Sequence, residues 1–489
     1  MKIQHYSSES RIQSRGNKPS AGYVGQQWDQ DKTINVQTLL NEHPFSGYQW
    51  LILGLCFFIE LLDGFDTAAI GYIAPSLLKE WGIGKSALGP VLSAAFFGLA
   101  TGALLAGPLA DRFGRKRVLV GSTLLLGIAC LGSSFADSLD NLTILRFVTG
   151  IGLGASMPNA ITLLSEYCPD RRRALLTNAM FSGFPLGAAL GGFLAAWMIP
   201  QWGWRSVFSL GGATTLVLVV PLFFFLPESV RYMVAKKLPA ERIRAVLIRV
   251  SAAAAGATSF IMTEQASTTN AKSGLGLVLS RGYLVGSVML WLAYFIGLVI
   301  FALITWMPVL MTYAGLEPKD ATLISALFPL GGVGAIFFGW LMDRTNANGV
   351  IAVGFALTAV SIFAIGLAAG NLGMLMLLVL LAGTFVNTAQ VSMPALAAGF
   401  YPTTGRATGV AWMLGIGRFG GIAGSILVAE LTRRQLGFSE IFMVVAIPGA
   451  IAAVALIIKQ FAHPESPSGH TAAIKETHNH EEEAQLGSR

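Results

Sequence analysis

Charge is scarce in this chain. Lys, Arg, Asp and Glu make up 12% of its 489 residues, about half the ~25% usual in a soluble globular protein, too few to coat a water-facing surface of this length. Cysteine is scarce too: Cys56, Cys130 and Cys168 are far apart and lie in or beside apolar segments, so neither a disulfide framework nor a zinc spacing can be read. The six histidines, His5, His43, His463, His470, His478 and His480, all fall outside the apolar runs. That excludes a membrane zinc protease with its H-E-x-x-H helix, and the tail His478-Asn479-His480-Glu481-Glu482-Glu483 reads as solvated. No metal site is expected. A phosphate-cradling G-x-x-x-x-G-K-[ST] loop is missing as well. Its nearest approach, Gly84-Lys85-Ser86, has Lys79 in place of the first glycine, which removes ATP-driven pumping. Gly415-Ile416-Gly417-Arg418-Phe419-Gly420 fits G-x-G-x-x-G only formally, because no strand precedes it, and helix packing accounts better for its glycines. No cofactor is expected. The first 44 residues are polar, without an apolar core and small-residue cleavage site, so no secretory signal is read there.

What is abundant is apolar sequence, 54% of residues, and glycine, 56 in number and set inside the apolar runs. Close-packed membrane helices need small residues in such places. A hydrocarbon core of ~30 Å takes about 20 apolar residues per helix. Runs of that kind lie at 48–75, 87–110, 118–136, 142–166, 174–198 and 205–226, then at 283–311, 321–342, 350–369, 372–398, 407–430 and 438–461. The expected fold is all-α, twelve transmembrane helices in two six-helix halves. With the N-terminus placed in the cytoplasm, the inner loops carry 17 Lys and Arg and the outer loops six. The positive-inside rule then puts both termini in the cytoplasm. The net charge of +7 is therefore topological, and a nucleic-acid partner is not expected.

The expected divisions are a tail at 1–46, a first bundle at 47–226, a cytoplasmic linker at 227–282, a second bundle at 283–461 and a tail at 462–489. The halves echo each other. Gly107-Pro-Leu-Ala-Asp111-Arg112 recurs as Gly339-Trp-Leu-Met-Asp343-Arg344, Pro75, read as ending helix 1, recurs as Pro308, and Pro169 with Arg173-Ala174 recurs as Pro402 with Arg406-Ala407. Duplicated six-helix units of this kind place a solute site near the bilayer midplane, between halves that rock.

Ionisable residues inside spans cost roughly 2.5–3.5 kcal/mol or more each and are functional candidates. Helix 1 holds Glu60, Asp63 and Asp66, a spacing of i, i+3, i+6 that spreads them over one side of the helix. Asp63 lies ~22 Å deep at 1.5 Å per residue. It reads either as a proton carrier, since burial disfavours its charged form, or as the static partner of a buried arginine. Arg418 falls near the bilayer centre in helix 11, where a guanidinium needs a cavity or a counter-charge. Its repeat-equivalent is Leu186, so the architecture does not demand a cation there, and Arg418 is the leading candidate anion receptor. Arg146 opens an R-x-x-x-G-x-G run one turn inside helix 4. It either lines a cavity or snorkels to the interface.

The loop Asp111-Arg112-Phe113-Gly114-Arg115-Lys116-Arg117 is too charged to hold a deep solute. It reads as a gate latch in which Asp111, Arg112, Gly114 and Arg115 engage in one conformation and release in the other, or as topogenic charge alone. Glu166 and the second-copy Asp343 belong with it. Asn159, Thr162, Asn178, Ser182, Asn387 and Gln390 offer hydrogen bonds to a solute or, equally, to neighbouring helices. Phe65, Tyr294, Trp306, Phe328 and Trp412 are candidate walls for a planar ring or ordinary packing.

The loop Asp111 to Arg117, its degenerate copy at Asp343-Arg344 and the six-plus-six plan resemble the major facilitator superfamily across the whole chain. Three runs resemble its aromatic acid:proton symporters, most closely the 4-hydroxybenzoate/protocatechuate transporters. These are Leu62-Asp63-Gly64-Phe65-Asp66-Thr67-Ala68-Ala69, then Gly154-Ala155-Ser156-Met157-Pro158-Asn159 with Leu164-Ser165-Glu166-Tyr167, and Gly405-Arg406-Ala407-Thr408-Gly409 with Gly415 to Gly420. The resemblance implies proton-driven uptake of a small aromatic carboxylate across a bacterial inner membrane. Asp63 and Asp66 match the family's D-G-x-D pair, and Asp111, Gly114 and Arg115 match its loop motif. The second copy lacks the G-R-K part after Asp343-Arg344. A proton-driven exporter of drugs or metabolites shares the same plan and is the alternative, and a membrane-embedded sensor is a third class. A bilayer, protons and a small aromatic acid are the expected partners, with a monomer as the working unit.

Overall fold

The computed structural model describes residues 33–261, 274–334, 341, 345–368, 370–401 and 403–462. Asp343, Arg344 and the histidine-rich tail lie outside the described residues. The apolar runs form helices because every backbone N–H and C=O in hydrocarbon must be satisfied within its own segment. Helix 1 is Gly47–Trp81, helix 2 Leu88–Phe113, helix 3 Arg115–Ser133 and helix 4 Leu139–Glu166. Helix 5 comes as Arg173–Phe181 and Gly183–Trp202, and helix 6 is Arg205–Phe225. Helix 7 comes as Leu284–Phe301 and Leu303–Tyr313, and helix 8 begins with Pro318–Leu330. Helices 9 to 12 are Ala347–Leu367, Leu372–Phe400, Thr403–Arg433 and Phe438–Ala462. Ten helices among the described residues are long and apolar enough to cross a membrane. Helix 1, with 35 residues, is a further one, and of the expected eighth span the described residues include the helix Pro318–Leu330.

Three details differ from the sequence reading. Pro75 does not end helix 1, which continues to Trp81 and stops where Gly82 turns left-handed at φ 63°. A proline removes one backbone donor and crowds the carbonyl of residue i−4, here Gly71, yet the helix passes through it. Helices 5 and 7 are each interrupted once, at Ser182 and Ala302. The chain is also not purely helical. Thr33–Asn35 and Ser259–Ile261 form a two-stranded parallel ribbon. That ribbon ties the segment before helix 1 to the linker after helix 6. Beneath it, Val36, Leu40, Val230, Leu247 and Phe260 are buried with Tyr167 and Leu226 in one apolar cluster.

Within the first half, helices 2 and 4 meet backbone to backbone. A Cβ on Gly98 or Gly102 would come within 2.0–2.1 Å of the Phe147 or Ile151 carbonyl oxygen. One on Gly150 or Gly154 would come within 2.1–2.2 Å of those of Ala95 or Leu99. Two facing G-x-x-x-G pairs thus set the contact, as expected where small residues let membrane helices approach. In the second half Gly417, Gly420 and Gly424 of helix 11 lie against Tyr294, Phe295 and Val299 of helix 7. Those glycines serve helix packing.

The halves meet along three seams: helix 1 with the second piece of helix 7, helix 2 with helix 11, and helix 5 with helix 8. The touching groups include Gly71 and Thr305, Gly421 and Phe96, Gly89 and Ala429, and Gly192 and Ala326. Gly71 lies ten residues before the Trp81 end of helix 1, and Gly89 at the start of helix 2. The seams therefore close the side of the molecule on which helix 1 finishes.

Candidate functional site

The three carboxyls of helix 1 turn by about 60° from one to the next, and each meets different neighbours. Glu60 is fully buried facing helix 5, its Cβ near Gly183. Neither of its carboxyl oxygens has a hydrogen-bond partner among the described residues. Asp63 is 3% exposed and meets helix 4, where Ser156 Oγ lies 2.7 Å from its Oδ2. Its Oδ1 has no partner among the described residues.

Asp66 is paired. Arg146 Nη1 donates to both of its carboxylate oxygens at 3.0 and 3.1 Å, and Arg146 Nη2 donates to Ser133 Oγ at 2.8 Å. The guanidinium also lies 4.4 Å from the centre of the Phe208 ring. Snorkelling is ruled out for Arg146, which is 1% exposed, and its charge is spent on Asp66. The static ion pair foreseen for Asp63 thus belongs to Asp66. Breaking a buried pair by removing one partner strands the other charge, at about 3–5 kcal/mol. Arg146→Met is accordingly expected to lower the thermal stability of the purified protein sharply, and Arg146→Met with Asp66→Asn to recover most of the loss. Equal melting temperatures for the two variants would contradict this.

Arg418 is half-buried on helix 11, and Nη1 donates to the Leu99 carbonyl of helix 2 at 3.3 Å, across the seam between the halves. Among the described residues it has no carboxylate partner. Tyr294 lies beside it, its ring against Gly417. Gln390 Nε2 donates to the Tyr294 carbonyl at 3.4 Å, while its Oε1 has no partner among the described residues. Next to this group the seam encloses a cleft lined by Thr67, Ile70, Phe96, Leu99, Leu153 and Thr305, closed down to about 10 Å³. That is room for roughly one water.

Other expected site residues are placed elsewhere. Phe65 does not wall the cleft: it is buried inside the first half against Gly191 and Gly211. Trp412 is exposed and stacks on Trp291 with centroids 5.8 Å apart. Phe328 is fully buried on helix 8. Asn159 spends its amide on the Ala155 carbonyl of its own helix, and Asn387 donates to the carbonyls of Phe328 and Gly383. Both amides satisfy backbone rather than face the cleft. Trp306, also considered for a ring wall, is fully buried with its indole nitrogen donating to Ser425 Oγ.

At the other end of helix 2, Asp111 is exposed and pairs within its own loop, 3.0 Å from Arg115. The Arg112 carbonyl accepts from Tyr232 of the linker. Gly114 adopts φ 96°, and a Cβ there would fall 2.2 Å from the Glu228 carboxylate. Glu228 Oε1 accepts the backbone N–H of Lys116 at 3.1 Å, which places a negative group at the positive end of helix 3. Glu166 accepts from Ser229 Oγ and from the Arg231 backbone. The linker is thus bolted to the first half through Glu166 and Glu228. The sequence reading missed Ser133, Ser156, Glu228 and Thr67, and also Lys459. This lysine is 1% exposed, and its Nζ lies 2.5 Å from Asn348 Oδ1 between helices 12 and 9.

Two similar halves pressed together on one side, with carboxyls buried inside the first half and at the seam a cation that has no carboxylate partner among the described residues, make the frame of a membrane transporter. A family model described as Major Facilitator Superfamily matches residues 56–359 and 320–485, and the chain belongs to that superfamily. The 4-hydroxybenzoate transporter PcaK of Pseudomonas putida is 49% identical over 431 residues, 88% of this chain and 96% of that protein. The gallate transporter of Pseudomonas putida is 45% identical over 447 residues, 90% of this chain and 98% of its own length. These relatives are transporters, not enzymes. A crystal structure of a D-xylose-proton symporter superposes with a TM-score of 0.66 at 18% identity, covering 84% of this chain and 97% of that one. The shared architecture is that of a multi-pass membrane protein.

Proposed function

We propose that this chain imports small hydroxylated aromatic carboxylates of the 4-hydroxybenzoate type together with protons. It would do so as a single chain in a bacterial inner membrane, with both termini in the cytoplasm. The observation that carries the reading is Arg418. It is a half-buried guanidinium at the seam, held among the described residues by a backbone carbonyl of the opposite half, where an organic anion can claim it. The 49% and 45% sequence identity to 4-hydroxybenzoate and gallate transporters over most of the chain supports the substrate class.

Protons are needed because the solute is an anion. An interior-negative potential opposes its entry by ~2.3 kcal/mol per charge per 100 mV. One co-transported proton cancels that charge, and two make entry favourable. Asp63 is the proposed carrier, with Glu60 the alternative should Asp63 fail, since a carboxyl buried away from any cation among the described residues is cheapest as the neutral acid. Asp66 positions helix 1 through Arg146. Ser156 links carrier to cleft: its Oγ lies 2.7 Å from Asp63 Oδ2 and 3.0 Å from the carbonyl of Leu153, and Leu153 lines the cleft. The hydroxyl has one hydrogen. It donates to Asp63 when that group is charged, and turns to Leu153 when a protonated Asp63 donates to it. Loading both proton and solute then favours rocking by differential affinity for the two states. Gln390 and Tyr294 complete the anion end, while Asp111, Arg112, Gly114 and Arg115, with Glu166 and Asp343, form the gate. In the present conformation Asp111 pairs inside its own loop, as in a released latch.

The test uses purified protein in proteoliposomes. Labelled 4-hydroxybenzoate is expected to accumulate several-fold when the outside is made acidic, and a protonophore is expected to abolish that accumulation. Uptake indifferent to the protonophore would refute proton coupling, and efflux alone would favour an exporter.

A further inference from the structure

The cleft between the halves is apolar along most of its wall, as Ile70, Phe96, Leu99 and Leu153 are. Its exceptions are two threonines, one from each half. Thr305 already donates its hydroxyl to the Ala302 carbonyl at 2.7 Å. Thr67 does not: its Oγ1 is enclosed and has no hydrogen-bond partner among the described residues. An enclosed polar atom left unpaired costs about 1–3 kcal/mol, and here it faces the surface that must part for a solute to enter. Thr67 also lies one helical turn from Asp63, on the same face of helix 1. Leu99, whose carbonyl holds Arg418, lines the same cleft.

We propose that Thr67 is the specificity group for the ring hydroxyl of the solute. The hydroxyl of the bound aromatic acid pairs with Thr67 Oγ1, the ring replaces the apolar closure of the seam, and the carboxylate displaces the Leu99 carbonyl from Arg418. This rests on the function proposed above and adds the residue that separates hydroxylated acids from benzoate. A site that hydrogen-bonds a solute hydroxyl rejects the analogue lacking it, because its own polar group is then stranded.

The experiment measures equilibrium binding of 4-hydroxybenzoate and of benzoate to the purified full chain, by titration calorimetry, so that no proton gradient is involved. Wild-type protein is expected to favour 4-hydroxybenzoate. Thr67→Val, which keeps the shape and removes the hydroxyl, is expected to reduce the preference about tenfold, the worth of one hydrogen bond. Thr67→Ser is expected to retain it and controls for folding. A preference within twofold of wild type in Thr67→Val, or a loss in Thr67→Ser equal to that in Thr67→Val, overturns the assignment. Equal affinity of the wild type for both acids overturns it while leaving an aromatic-acid site in place. Binding of neither acid overturns the proposed function itself.

Discussion

Uptake of 4-hydroxybenzoate is expected to fall to background in Arg418→Ala. The Leu99 carbonyl is a neutral acceptor at 3.3 Å, a weak partner for a guanidinium, and it is readily exchanged for a carboxylate. Hydrogen bonds to charged groups contribute about 1.5–3 kcal/mol each, and a carboxylate can take two in parallel from one arginine. Losing both weakens binding by roughly two to four orders of magnitude, since ~1.4 kcal/mol is tenfold. Arg418→Lys keeps the charge and loses the fork, so its uptake is expected between wild type and background. Initial rates in cells, normalised to the amount of protein in the membrane fraction, provide the check. Transport by Arg418→Ala at the wild-type rate would remove Arg418 from the site.

Asp63→Asn is expected to separate binding from driving force. Asparagine has the size of the protonated acid and carries no proton, so the variant resembles a permanently loaded carrier. In proteoliposomes, exchange of labelled for unlabelled substrate is expected to persist, while accumulation against a concentration gradient falls to an inside-to-outside ratio of about one under any pH gradient. The acid stimulation seen in wild type disappears with it. Ser156 can still donate to the amide oxygen, so the local packing survives. Uphill accumulation by Asp63→Asn would end the carrier role and leave Glu60, whose oxygens are both unpartnered among the described residues, as the alternative carrier.

The membrane helices could be read from the sequence because the bilayer imposes one length and one polarity on each, whereas the helix pairs that form the seams could not be named from it. Boundaries set by local stereochemistry were harder. A proline reads as a stop, yet helix 1 runs through Pro75. The pairing of charges was not readable at all. Asp63 and Asp66 are alike in type and three residues apart, and only the rotation of helix 1 against helices 3 and 4 decides which one meets Arg146, 80 residues away. A wheel of helix 1 shows only that the three acids fan out over one side of it. Ser156 and Thr67 passed as ordinary small polar residues, since composition cannot tell a satisfied hydroxyl from a stranded one. The parallel ribbon of Thr33–Asn35 with Ser259–Ile261 escaped because each strand is three residues long and its partner lies beyond six helices.

That ribbon has a mechanical consequence. By fastening the chain after helix 6 to the first half as far as Ile261, it leaves thirteen peptide steps before Gly274, where a short helix docks on helix 11 of the second half. Fastened in this way, the linker travels with the first half, and the surfaces a swing has to part are those of helix 1 on helix 7, helix 2 on helix 11 and helix 5 on helix 8.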